Sequence, residues 1–390
     1  MQDQTIESAF VQLQSWCRKR DFAGYDPFDA LNSRLFQKLP FKYSPIARLA
    51  WTQGLKRSPI NLRRLALIPA EKNPKGIALF ALASLATYRR TKAIEAEMDA
   101  RDFLDELIQL RSSGFNAWGY NFPWQSRKFF AARGTPMIVP TAFAARAFLE
   151  AYLAFGDDEH LQTARGVCEF ITKHLQRTVD TPEELCFGYS LFDQTRIFNA
   201  SLLAVETLAT VSAASQSLDY VDLIARAVRY VLRRQKSDGS WVYGAETGQS
   251  WVDSFHTAYV LQSLKRIANA CPQLEVEIRG PLQSGYEFWR DSFFLADGWP
   301  KYYHDSLYPA DAHAAATAII TLLELRTLDS KSPQLAQKIA AWTIRNLRDR
   351  DGYFYYQKRR FFTVTTPYMR WTQAWMLYAL ARLLEEKVTN

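Results

Sequence analysis

Two phrases of the chain carry side chains able to move protons: "SWVDSFHTAYV" (250–260) and "KYYHDSLYPADAHAAATAII" (301–320). They hold three of the five histidines, His256, His304 and His313. Asp253 stands three residues before His256, and Asp311 two before His313. Imidazole changes charge near neutral pH, so His256 and His313 are candidates for a general acid–base pair, assisted by Tyr25 or Tyr303. The plainer alternative makes Asp253 and Asp311 helix N-caps, with the imidazoles packed beside them. A metal site from His304, Asp305, Asp311 and His313 is a third reading. No HExxH pattern or Cys/His cluster supports it, so neither a metal nor another cofactor is expected.

Three more clusters could act on a sugar. "GYDPFDALNS" (24–33) holds Tyr25, Asp26 and Asp29. Two carboxylates three residues apart can serve as acid and base in glycosyl chemistry. Asp26-Pro27 also reads as the N-cap and first-turn proline of a helix over 30–38. "AWGYNFPWQSR" (117–127) supplies Trp118, Tyr120, Trp124 and Arg127, and "TTPYMRWTQAW" (365–375) supplies Tyr368, Arg370 and Trp371. Aromatic faces stack on sugar rings, and arginine pairs with carboxylate or phosphate. Packed aromatic plugs would look the same. Arg127 and Arg370 are expected to neutralise an acid group, which lowers the cost of a carbanion-like transition state.

These residues sit on a repeat. A Gly-aromatic element recurs in "AWGYNF", "CFGYSLF", "DGSWVYG", "DGWPKYY" and "DGYFYYQ", with Gly119, Gly188, Gly239, Gly298 and Gly352. An amphipathic helix precedes each element, with apolar residues at i, i+3, i+4 and i+7. A helix apolar nearly all round follows, and such a helix must be covered on all sides. One closed solution is a ring of inner helices within a ring of outer ones. The expectation is therefore an all-α, single-domain (α/α) toroid of about six helical hairpins over 1–390. Five clear repeats occupy 101–390, and diverged N-terminal hairpins occupy 1–100, "SPIARLAWTQGL" and "KGIALFALASLATYRR" among them. The glycines are expected to supply positive φ in the loops. An open solenoid is the competing geometry. In a toroid, the loops entering the inner helices line one mouth, which would receive the histidines, Arg127, Asn199, Tyr368, Arg370 and Trp371.

"QKSDGSW" (235–241), with Trp241, resembles the QxxDGxW element of squalene and hopene cyclases. No DxDD-type acid motif accompanies it, nor the zinc ligands expected of protein prenyltransferases, so the resemblance is to the toroid. "GYDPFDALNS", "AWGYNFPWQSR", "SWVDSFHTAYVLQSL", "KYYHDSLYPADAHAAATAIITLLEL" and "DGYFYYQKRRFFTVTTPYMRWTQAWMLYALA" together resemble bacterial toroid proteins associated with cell-surface polysaccharide biosynthesis. That resemblance implies a role in making envelope or secreted glycan and brings no catalytic residues. Toroidal sugar 2-epimerases resemble the arrangement in setting two histidines on facing inner helices.

Composition sets the remaining bounds. The net charge is +8. Between Ala30 and Ala70 there is no acidic residue, but there are eight basic ones: Arg34, Lys38, Lys42, Arg48, Lys56, Arg57, Arg63 and Arg64. This segment is either a solvated face or a docking surface for acidic saccharide, anionic lipid or glycan-assembly enzymes. No motif points to nucleic acid. Four cysteines without paired spacing read as reduced thiols. No signal peptide is legible at "MQDQTIESAF", and the longest apolar run, 77–88, is too short to span a bilayer. The chain is expected in the cytoplasm, with peripheral contact at the inner membrane as an option.

The expected function is a carbohydrate-active enzyme using acid–base chemistry (epimerisation or elimination) or hydrolysis on an anionic saccharide. The alternatives are a non-catalytic glycan- or partner-binding toroid and a terpene-cyclase-like enzyme.

Overall fold

In the computed structural model, which describes residues 2–386, the chain is mostly helical. The helices are α1 (Gln2–Arg18), α2 (Pro45–Arg57), α3 (Pro74–Thr91), α4 (Ile94–Gln109), α5 (Ile138–Phe155), α6 (Asp158–Lys173) and α7 (Phe198–Ala214). They continue with α8 (Val221–Leu232), α9 (Ser254–Ala270), α10 (Glu275–Phe293), α11 (Ala312–Glu324), α12 (Ser332–Leu347) and α13 (Trp375–Glu386). Strands are short antiparallel pairs in the loops; in one set, Gln357–Lys358 lies between Ala310–Asp311 and Thr363–Val364.

Helix type follows composition. α3, α5, α7, α9, α11 and α13 are richer in small and apolar residues than their partners, and most of the side chains on them are buried. Several buried threonine hydroxyls bond back along the same helix, as Thr321 Oγ1 donates to Thr317 O at 2.7 Å, which satisfies those donors within the core. Neighbours run α3–α5–α7–α9–α11–α13, and α13 returns to α3, so the contacts close on themselves. Each of these six carries one amphipathic partner: α4 on α3, α6 on α5, α8 on α7, α10 on α9, α12 on α11, and α1 on α13. The last pair joins the two ends of the chain. α5 is long and apolar enough to cross a membrane, yet two-thirds of it (67%) is buried in the protein, in contact with α3, α6 and α7.

Several local expectations change. "SPIARLAWTQGL" forms α2, which packs on the short helical turn Asp29–Asn32 and on the strand at Trp124 rather than in a hairpin with α3. Residues 30–38 form no α-helix but two 3₁₀ turns, Asp29–Asn32 and Phe36–Lys38. This segment has a satellite core of its own, Ala30, Leu55, Ala66 and Ile68. Gly239, Gly298 and Gly352 have positive φ, but Gly119 and Gly188 do not. A Cβ on Gly119 would instead collide with the Gly134–Thr135 backbone, and one on Gly188 with the Asp193 carbonyl. Their role is close approach.

Candidate functional site

The first turns of all six inner helices converge on one cavity of about 210 Å³. α3 contributes Lys75, α5 Val139, α7 Asn199, α9 His256 and Tyr259, and α11 His313; the π-helical turn Met369–Ala374 leading into α13 contributes Arg370. Helix N-termini carry partial positive charge, so their convergence favours a polar or anionic guest. Loop aromatics form the wall, including Tyr120, Trp124, Tyr189, Tyr243, Trp251 and Tyr302. Phe28 and Lys56 from the N-terminal excursion, with Trp371, complete it.

Asp253 and Asp311 are N-caps, as their types suggest. Asp311 Oδ1 accepts from the His313 and Ala314 amides at 2.8 and 3.1 Å, and Oδ2 accepts from Gln357 Nε2 at 2.7 Å. Burial pushes its carboxyl up to about 6. Asp253 combines capping with another task. Its Oδ1 accepts from the His256 amide at 2.9 Å, and its Oδ2 lies 2.7 Å from His256 Nδ1 and accepts from Trp251 Nε1 at 3.0 Å. With Nδ1 engaged, the Nε2 edge of His256 is left for the cavity.

His313 has a different environment. Its Nε2 lies 2.8 Å from Tyr259 Oη, and Tyr259 Oη lies 3.2 Å from Lys75 Nζ. His313 Nδ1 is buried without a partner. Burial, reinforced by Lys75 and Arg370, holds His313 well below the usual imidazole range. Burial, then Arg370 and Arg146, likewise holds Lys75 well below the usual amine range. Burial pulls Lys56 down to about 8, against the opposing pull of Asp311 and Asp26. Among the described residues no carboxylate pairs with Lys56. Asn199 Oδ1 and Trp371 Nε1 are further buried polar atoms of the cavity residues without a partner. A buried polar group left unpaired is costly, so these three atoms mark positions where a hydroxylated ligand would compensate.

His256, His313, Asp253, Tyr303, Tyr120, Trp124, Arg370 and Trp371 thus line the cavity. Other candidates do not. Asp26 is spent on Arg370, accepting from Nε at 2.6 Å and Nη2 at 2.8 Å, while Asp29 accepts from Arg63 Nε at 2.8 Å. Both carboxylates are engaged by arginines and lie outside the cavity lining, and the Arg63 expected at the surface is fully buried. Tyr25 holds the same junction through its carbonyl, which accepts from the Met369 amide. Trp118 donates Nε1 to Leu107 O and stacks on Phe148; Trp241 donates to Val231 O under α10. Both are packed plugs. Tyr368 packs on Tyr356 and beneath the Arg63 guanidinium. Arg127 is exposed, beyond the strand Trp124–Gln125. His304 lies against Phe288 and Phe293, away from His313, and no group of three or more potential metal ligands occurs among the described residues.

The sequence reading passed over Lys56, Lys75, Tyr189, Tyr243, Trp251 and Tyr259. A signal existed for Lys75. Asn73-Pro74 caps α3, with Asn73 Oδ1 accepting from the Lys75 amide at 3.0 Å, so Lys75 holds the register of His313 after Asp311. Lys56 had no such signal, because α2 lies outside the repeat.

No known protein family matches the chain, and no curated protein does. Solved structures do. A cellobiose 2-epimerase from Bacillus thermoamylovorans aligns with a TM-score of 0.63 at 13% identity, over 83% of this chain and 90% of its own. An unsaturated glucuronyl hydrolase specific for heparin aligns at 0.62 and 13%, over 99% and 97%. A D-mannose isomerase aligns at 0.60 and 12%, over 81% and 87%. At such identities the likeness is one of fold, and that fold is the α/α toroid.

Proposed function

We propose that the chain is a six-hairpin α/α-toroid enzyme that moves a proton on a reducing saccharide, most simply by epimerising the carbon beside its carbonyl. One observation carries this reading. Two histidines from adjacent inner helices line a single aromatic-walled cavity, His256 with its Nδ1 on Asp253 and His313 with its Nε2 on Tyr259. Different partners give them different tasks. His256, oriented by Asp253, is the group that delivers a proton. His313, held well below the usual imidazole range by burial, Lys75 and Arg370, is the base. A proton taken from the sugar carbon at His313 Nδ1 leaves an enediolate. The charge passes from Nε2 through Tyr259 to the Lys75 amine. His256 then returns a proton to the same carbon from the other side, which inverts it. Lys56 and the inner-helix N-termini stabilise the enediolate oxygen and favour a sugar bearing an acid group.

Hydrolysis by paired carboxylates has less support, since among the described residues Asp253 is the only carboxylate lining the cavity. The solved neighbours include epimerases, an isomerase and glycan hydrolases, which supports carbohydrate chemistry without choosing the reaction. The test is proton exchange in D₂O, followed by NMR, across reducing hexoses, hexuronates and disaccharides. Deuterium should enter beside the carbonyl. It should stop in His313→Asn and Lys75→Met while sugar binding persists. Binding without exchange in the unmodified protein would leave a glycan-binding toroid, and no binding of any saccharide would remove the reading.

A further inference from the structure

Among the described residues, the N-terminal excursion holds a dense cluster of solvent-exposed apolar side chains. Ile46 is 79% exposed, Leu65 77%, Tyr43 73% and Ile60 69%, and Leu35, Phe41 and Leu67 are exposed beside them. These are not remnants of a failed core. The segment buries Leu55, Ala66 and Ile68 on its inner side, with Trp51 and Leu62 packed against them. α2 follows suit: Thr52 and Leu55 face inward, while Ile46, Ala50, Gly54 and Arg57 are exposed. The exposed residues are held together. The Arg34 amide donates to Leu67 O, the Phe36 and Phe41 rings are in contact, and Lys42 Nζ lies 5.2 Å from the Tyr43 ring centre.

Charge decides what covers such a face. Arg34, Lys38, Arg57 and Arg64 are exposed among these apolar side chains, and no acidic residue occurs between Ala30 and Ala70. A second element repeats the pattern. The hairpin of Gln357–Lys358 with Thr363–Val364 carries Arg359, Arg360, Phe361 and Phe362 at its tip, with Phe361 86% exposed.

We propose that the face formed by residues 34–67 and the Arg359–Phe362 tip docks on an anionic lipid surface. Phe, Ile, Leu and Tyr side chains enter the interfacial layer while arginine and lysine pair with headgroup phosphates. A protein partner would need a matching acidic and apolar patch. An anionic bilayer offers both features over its whole area.

Vesicle co-sedimentation tests this with the full chain. Vesicles containing about 30 mol% phosphatidylglycerol in phosphatidylcholine should bind it, and pure phosphatidylcholine vesicles should not. Raising salt from about 0.1 M to about 0.5 M should release it, since screening shortens the range of the attraction. Arg34→Glu with Arg64→Glu should weaken binding about tenfold or more. Ile46→Ser with Phe361→Ser should do the same while leaving salt sensitivity in place. All four positions are exposed, so thermal melting should be unchanged. Arg63 is unsuitable because its charge is buried against Asp29. No vesicle binding overturns the proposal. So does equal binding to neutral vesicles, or self-association that the same substitutions abolish. Sugar exchange in solution is measured separately, so either result stands without the other.

Discussion

Asp253 shows how one carboxylate can be structural and chemical together. One oxygen ends the α9 backbone, and the other holds the His256 ring and Trp251. Asp253→Asn separates the two, because asparagine caps as well as aspartate but supplies no counter-charge. Thermal stability should change by less than about 1 kcal/mol, while sugar proton exchange falls about 10²–10⁴-fold. Lys56 gives the pH dependence. Its amine titrates at about 8 in the free protein, and a bound anion raises that value. Affinity for a hexuronate should be constant below pH 8 and fall as pH rises through it. Lys56→Met should weaken binding by about 1.5–3 kcal/mol and flatten this limb, both read by titration calorimetry across pH.

At the scale of elements, positive φ and close approach are separable demands on a loop glycine. In the Gly298 loop, φ is +92° and an added Cβ would stand 2.5 Å from the Lys338 carbonyl of α12. Gly114 has φ +79° with open space around it. Gly114→Ala should cost about 1 kcal/mol, from the backbone alone. Gly298→Ala should cost more, about 1–3 kcal/mol beyond that, measured by denaturant unfolding. The QxxDGxW phrase is structural here: Gln235 Nε2 donates to Gly239 O and to Pro281 O of α10, and Trp241 fills the space beside Gly285.

The whole molecule depends on charges shared between inner helices. Glu206 of α7 accepts from Arg146 of α5 and from Arg266 and Ser263 of α9, and Arg266 also pairs with Glu324 of α11. Burial would push Glu206 up, but the two arginines outweigh it and hold the carboxyl at about 2. The folded value lies below the unfolded one. The stabilisation is therefore complete above about pH 4.5 and is lost as pH falls through about 2, amounting to about 3 kcal/mol. Glu206→Gln should cost about 3–5 kcal/mol at neutral pH, because two buried guanidiniums lose their partner. Its melting temperature should approach that of the unmodified protein in acid. Equal sensitivity to acid in both proteins would show that this network does not tie the ring.

The sequence by itself determined the helical class, the order of inner and outer helices from α4 onward, and, through Asp253 and Asp311, the starts of α9 and α11. Periodicity, small residues and capping aspartates are local signals, read within a few residues of where they act. It also singled out His256 and His313, because the repeat gives them nearly the same register, three residues after Asp253 and two after Asp311. Tertiary structure decided the rest. Asp26 and Asp29 look as reactive as Asp253 in a one-dimensional string; only the fold brings Arg370 across 344 residues and Arg63 across 34 to consume them. Trp118 and Trp241 became plugs because neighbouring helices close over them. Lys75 is held well below the usual amine range because burial and two arginines act on it through space. Which groups meet in a cavity, and which protonation state burial leaves them in, depend on three-dimensional proximity, and no spacing along the chain encodes that.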